Sequence, residues 1–396
     1  MAETQGGASL FRARSPGSHR AVTFVELFFD LVFVFAVTQL SHELRAHFSP
    51  LGLLETAMLM LAVWWVWIFT AWITNWLDPD RTPVRLMLLV LMLFGLVLSS
   101  SIPEAFEHRG LIFALAFVGM QVGRTIFMLA AIPPTDVSLK RNFRRVLVWL
   151  AVSAVAWIVG GFAADELRLA LWGLALVIEY LGPALRFWTP GLGRSSVDDW
   201  NVDGPHLAER AGLFIIIALG KSVLVIGDTF AETHWTAARL AAFVAAFVAS
   251  VAMWWLYFDK GAELGVEQIR RAPNPGRLGR NAYTYLHLPI VAGIVLFAAG
   301  NELALAQPGE RADFQTTVGI LAGSMLYLVG VGLFKHSVRR RRLVSNMVGL
   351  GSLLALWLIA RYLPALGLAA AGALVLATVA VWETRTLRNE AMAANE

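Results

Sequence analysis

Cysteine is absent from the 396-residue sequence. That excludes disulfides, thiolate nucleophiles, thiolate metal sites and palmitoylation. Charge is sparse as well. Asp, Glu, Lys and Arg make up 15% of the chain, where soluble domains carry about 25%. The motifs of soluble chemistry fail in turn. His42-Glu43 is followed by His47, a spacing that puts the two imidazoles on different helix faces, so it is not a zinc-binding pair. Gly191-Leu-Gly-Arg-Ser-Ser lacks the lysine and the full glycine spacing of a phosphate-binding loop. Asp78-Pro-Asp-Arg lacks the glycines of the major-facilitator loop, and no nucleophile elbow is present. We read no catalytic residue, no metal site and no cofactor.

Apolar sequence fills the space that these absences leave. The chain is 58% hydrophobic with a mean hydropathy of +0.64, more than a soluble fold of this length can hide, so its solvent is the lipid bilayer. A spanning helix needs roughly 20 apolar residues. Runs of that kind are expected near 22–44, 52–76, 84–103, 111–132, 143–162, 167–188, 206–229, 237–259, 282–303, 314–336, 343–362 and 364–383. The fold class is an all-α integral membrane protein of about twelve transmembrane helices. The first run lacks a small-residue cleavage pattern and reads as a retained helix, not a signal peptide. Lys and Arg set the orientation. Of 32, 23 fall on the side of the N-terminus, six fall on the other side, and Arg124, Arg210 and Lys221 lie within helices. This bias puts both termini in the cytoplasm. The basic runs around 140–145 and 339–342 read as topology anchors and headgroup contacts, not as a nucleic-acid surface.

The halves look related. Glu26 aligns with Glu209, Trp64-Trp65 with Trp254-Trp255, Pro103-Glu104 with Asn301-Glu302, and Arg144-Arg145 with Arg341-Arg342, all in the same order. Two parallel six-helix repeats follow: a cytoplasmic tail 1–20, a first repeat 21–190, a linker 191–204, a second repeat 205–384 and a cytoplasmic tail 385–396. In transporters built this way the pathway lies at the repeat interface, and the first and seventh helices, which carry most of the buried charge, are its expected lining.

A charge at the bilayer centre costs about 2.5–3.5 kcal/mol on insertion scales, so each needs a partner or a wet cavity. Glu26 and Asp30 stand four apart on one helix face, continued by Phe33, Val37 and Ser41. Two such carboxylates repel: a cation neutralises them, one keeps its proton, or they pair with a buried arginine. Depth along the helices groups Glu26, Asp30, Arg124, Glu179, Glu209, Arg210 and His287 into an inner network. Toward the outer end lie His42, Glu104, Asp228 and Glu302, with Lys221 deeper and expected to pair with one of these carboxylates. Gly119-x-x-x-Gly123 allows close helix contact beside Arg124. The ion or substrate pathway is accordingly expected at Glu26, Asp30, His42, Arg124, Glu179, Glu209, Arg210, Lys221 and His287. Beyond the bilayer, the candidate partners are a small cation or proton and a second copy of the chain in a homodimer.

The first helix, VELFFDLVFVFAVTQLSHEL, preceded by Arg20 and Thr23, resembles the signature helix of the bacterial low temperature requirement A (LtrA) family. His206-Leu-Ala-Glu209-Arg210-Ala-Gly-Leu-Phe ahead of Leu219-Gly220 agrees with it. The resemblance covers nearly the whole chain. It implies a multi-pass protein of the bacterial cytoplasmic membrane, linked by name to growth in the cold, and brings no established reaction or substrate. Lys221 departs from the family pattern, which usually has an acid there. Phe29-Asp30-Leu-Val-Phe also resembles, more distantly, the Phe-Ser-Asp motif of endosomal and bacterial potassium channels, which would put Asp30 near a pore entrance, bonded to Arg20 or another basic residue. The favoured expectation is a channel or transporter for a small ion or solute. The alternatives are a non-transporting scaffold or regulator and a membrane-embedded enzyme acting on lipid.

Overall fold

The structure, a computed structural model, describes residues 9–12, 21–196, 200, 202–259, 266, 269–270, 275–339 and 344–393. Among the described residues, twelve helices are long and apolar enough to span a membrane: α1 Phe24–Ala46, α2 Pro50–Trp76, α3 Thr82–Glu104, α4 Gly110–Ala131, α5 Val137–Phe162, α6 Asp165–Ala184, α7 Gly204–Glu232, α8 Ala237–Phe258, α9 Gly276–Ala306, α10 Phe314–Val338, α11 Val344–Tyr362 and α12 Ala365–Asn389. The expected fold class is the observed one. Among the described residues there is no β-strand, only isolated bridges.

Local chemistry sets the helix starts. Ser49 accepts from the Gly52 amide at 3.0 Å ahead of α2, with Pro50 at the first helical position, where a missing amide costs nothing. Asp136 accepts from Leu139 N at 3.0 Å ahead of α5, Thr236 from Arg239 N at 3.2 Å ahead of α8, and Asp313 from Thr316 N at 2.7 Å ahead of α10. Asp136 explains why α5 starts six residues before its apolar run at 143. Its first turns carry exposed Arg141 and Arg144, while Arg145 turns inward onto the Leu192 carbonyl at 2.6 Å. By contrast α6 stops at Ala184, short of the expected 188. Arg186 and Phe187 take left-handed backbone (φ 55° and 47°), and Phe187 N closes on Gly182 O at 2.7 Å.

The chain divides into two compact units: residues 1–43, 49–210 and 273–280, and residues 44–48, 211–272 and 281–396. In the first, α4 packs between α3 and α5, α5 packs on α6, and α2 lies against α4 and α6. Its core is aromatic, with Trp64, Trp65, Trp67, Trp157 and Trp172 all fully buried. Leu86, Leu89, Val90 and Leu93 on α3 are exposed along one face, as a lipid-facing helix requires. In the second unit, α9 packs on α10, α10 on α11, α11 on α12, and α12 on α8. Glycines set its closest approach. A Cβ on Gly300 or Gly319 would collide with the backbone of the facing helix, and one on Gly293 would come within 2.5 Å of Tyr327 N. The contact expected at Gly119-x-x-x-Gly123 is narrower: a Cβ on Gly119 would come within 2.9 Å of the Phe94 ring, and one on Gly123 would meet nothing within 4 Å. Of the basic run 339–342, residues 340–342 lie outside the described residues, as do the chain before residue 9, residues 13–20 with Arg20, and residues 394–396.

Candidate functional site

The first turn of α1 orients Glu26. Thr23 stands three residues before it, and both its backbone amide and its hydroxyl donate to Glu26 Oε2, at 3.0 and 2.9 Å, one arm of a capping box. One turn later Asp30 lies on the same face, and both carboxylates are fully buried. The face continues through buried Phe33, Val37 and Ser41.

Arg210, from the start of α7, bridges the pair. Its Nη1 donates to Glu26 Oε1 at 3.1 Å and its Nη2 to Asp30 Oδ1 at 2.6 Å, the fork geometry that suits guanidinium. Nη1 also reaches Thr74 Oγ1 at 3.1 Å. Trp67 on α2 donates its indole N–H to Asp30 Oδ1 at 2.8 Å. His206, one helical turn before Arg210, places Nε2 3.1 Å from Glu26 Oε1. Asn75 holds that turn, donating to Asp203 O at 2.7 Å and accepting from Asp203 N at 2.7 Å. The last member comes from the N-terminal segment. Arg12 Nη2 donates to Glu26 Oε2 at 2.9 Å, and its Nε reaches Thr74 O at 2.9 Å and Leu77 O at 3.1 Å. Two guanidiniums therefore face two carboxylates, and the charges balance. Asp30 Oδ2 is buried and has no hydrogen-bond partner among the described residues.

The other expected pathway residues fall elsewhere. Arg124 and Glu179 do not join this cluster. They meet across Gln121 in a second one, with Gln121 Nε2 donating to Glu179 Oε2 at 2.8 Å and Arg124 donating to Gln121 Oε1. Ser153 and Trp157 donate to Glu179 Oε1 at 2.8 and 3.0 Å. Arg124 Nη1 donates to Val66 O at 2.9 Å and Thr70 Oγ1 at 2.6 Å. His287 lies in the second unit in an aromatic box, with Nδ1 2.8 Å from Ala282 O and Nε2 2.7 Å from the Tyr257 hydroxyl. The single inner network expected from depth therefore separates into three sets, because helix rotation as well as depth decides which side chains meet. Glu209 is half-buried and accepts from Val22 N at 3.3 Å. His42 is exposed on α1. Lys221 is buried, but its Nζ has no hydrogen-bond partner among the described residues. The pairing expected for it is not formed: Glu302 bonds Arg45 instead, and Glu104 bonds Arg109 at 3.1 Å. Asp30, for its part, is paired by Arg210.

Sequence reasoning gave no site role to Arg12, Trp67, Thr74 or His206, the last of which entered only as part of the family motif. The signals for them were weak. Thr23-x-x-Glu26 has capping-box spacing, and His206 is one turn from Arg210. Nothing local marks Arg12.

The profile of the bacterial low temperature requirement A protein (LtrA) family matches residues 21–381. The chain belongs to the LtrA family. It is also 40% identical over 371 residues to an uncharacterized protein of Rhizobium meliloti (strain 1021), covering 93% of this chain and 90% of that one. No solved structure matches it. Every member of the charge cluster of this LtrA-family protein except Arg12 lies inside the matched region. Chemically the cluster is a neutral, desolvated ion-pair network at the start of α1, the start of α7 and the end of α2. It is expensive to break from one side, and one acceptor oxygen is left over.

Proposed function

We propose that this LtrA-family protein is a membrane conduit, a channel or transporter for a small ion or solute, with α1 and α7 lining its path. The ion-pair cluster at Glu26, Asp30 and Arg210 then forms a closed cytoplasmic end. One observation carries this reading: Asp30 is buried in a membrane-spanning helix with one oxygen doubly bonded by donors and the other without a partner. A pair kept only to lock helices gains from saturating both oxygens, whereas an intramembrane carboxylate with a spare lone pair suits a proton or cation that comes and goes. The packing order supports the parallel-repeat reading. The neighbours α3–α4, α4–α5, α5–α6, α2–α4 and α2–α6 recur as α9–α10, α10–α11, α11–α12, α8–α10 and α8–α12. The positive-inside bias supports cytoplasmic termini.

The test is flux in proteoliposomes. Wild-type vesicles should dissipate a gradient of at least one of potassium, sodium or protons faster than protein-free vesicles, and Asp30→Asn or Glu26→Gln should change that rate. If both variants conduct like wild type, the site is wrongly placed; if no gradient is dissipated, the conduit reading fails for these ions. The charge balance of the cluster favours a second reading, a non-transporting scaffold or regulator. On that reading neutralising Asp30 changes stability alone, and exchanging Glu26 with Arg210 restores expression.

A further inference from the structure

The segment before α1 folds back on the end of α2. Phe11 bridges to Leu77, Arg12 N donates to Trp76 O at 2.8 Å, and Asp78 N donates to Leu10 O at 2.8 Å. These contacts bring Arg12 to a seat made wholly of acceptors. The last carbonyls of a helix have no intrahelical partners and carry the negative end of its dipole. In α2 two of these, Thr74 O and Trp76 O, are satisfied by Arg12. Leu77 O and the Glu26 carboxylate complete the seat, and His206 Nε2, which gives its hydrogen to Glu26 Oε1, lies 3.2 Å from Arg12 Nη2. Only 7% of the Arg12 side chain is exposed and none of Glu26.

The charge count makes this seat exchangeable rather than merely filled. Without Arg12, Glu26 and Asp30 face Arg210 alone, which leaves one uncompensated negative charge in a desolvated site, a strongly unfavourable state. Arg12 can leave without that penalty when another cation takes its place or a proton settles on the His206–Glu26 pair. The geometry selects which kind. One N–H of the bound group, Nε, is shared between two backbone carbonyls, and the neighbouring Nη2 meets a carboxylate oxygen, an arrangement that fits a flat, multi-donor cation better than a spherical one. We propose that the seat of Arg12 is a binding site for a guanidinium-type organic cation, occupied in this conformation by the chain's own arginine. The segment at residues 9–12 is then a built-in competitor for that site. Its consequence for flux rests on the conduit reading; binding itself does not.

The test uses guanidinium ion as the probe on the purified full-length protein in detergent. Arg12→Ala should melt several degrees below wild type. Guanidinium chloride at low millimolar concentration should restore the melting temperature saturably, as a ligand of the native state does, and matched sodium chloride should not. Wild type, whose own Arg12 competes, should show that rise only at a several-fold higher guanidinium concentration, and Arg12→Ala combined with Glu26→Gln should show none. No response of Arg12→Ala, or an equal response to sodium, overturns the proposal. If Arg12→Ala does not fold, the cysteine-free chain offers a second measurement. Phe11→Cys, otherwise wild type, should react with a maleimide several-fold faster when guanidinium displaces Arg12, and an unchanged rate overturns the proposal. Rescue without any flux would keep this site and sink the conduit. Flux of another ion without rescue would keep the conduit and sink this site.

Discussion

At the scale of single residues, Arg210 carries the most. It is the cation common to Glu26 and Asp30, and it is fully buried. Arg210→Met should cost about 3–5 kcal/mol, the loss expected when one side of a buried ion pair is removed, read as a lowered midpoint of chemical unfolding in detergent. Adding Asp30→Asn should recover most of that loss, because Glu26 and Arg12 then remain as one balanced pair. Lys221 should behave in the opposite way. Its ammonium is buried with no hydrogen-bond partner among the described residues, and an unsatisfied buried donor costs about 1–3 kcal/mol. Lys221→Met should therefore raise the melting temperature, and a fall would mean that the ammonium has a stabilising partner. Sequence reading found Glu26, Asp30, Arg124, Glu179, Arg210 and Lys221 because a charge in an apolar run is conspicuous. It did not find Arg12, which sits in a polar segment where one more arginine attracts no notice. The seat of Arg12 exists only once that segment meets Leu77, 65 residues away from it, and no local pattern encodes that meeting.

At the scale of helices, the spans were legible to within six residues at either end, since length and hydropathy are local properties. The pairing of helices was not. Gly119-x-x-x-Gly123 is the familiar small-residue pattern, yet the tightest backbone approach runs through Gly293, Gly300, Gly319 and Gly323, spread over α9 and α10. Spacing within one helix says nothing about which partner lies opposite. Gly300→Val should cost about 1–3 kcal/mol through overpacking, or more if the helices cannot separate. Gly123→Ala should leave stability within error, because a Cβ there meets nothing within 4 Å. Thermal unfolding followed by tryptophan fluorescence compares the two. Similar losses at both sites would mean that the α9–α10 crossing can relax.

At the scale of the whole molecule, the proposal that both ends lie in the cytoplasm, which rests on an even number of crossings and on the distribution of Lys and Arg, is open to a direct test. Because the chain has no native cysteine, single cysteines report directly. Glu107→Cys and Glu310→Cys, both at exposed loop positions, should react with an impermeant maleimide added to intact cells. Thr135→Cys should react only after the membrane is opened. The reverse pattern would invert the topology and move the charge cluster to the outer face. The cluster also bears on how any opening could occur. α2 is engaged on two sides: Trp67 and Thr74 hold Asp30 and Arg210, while Val66 and Thr70 hold Arg124. It works like a key cut along both edges, which cannot turn without lifting both sets of pins. Rotating α2 would break both networks at once, with their costs added. On the conduit reading, the cheaper movement keeps α2 still as a stator and slides the beginnings of α1 and α7 past it, so the stroke is taken up at Glu26, Asp30 and Arg210 and spared at Arg124 and Glu179.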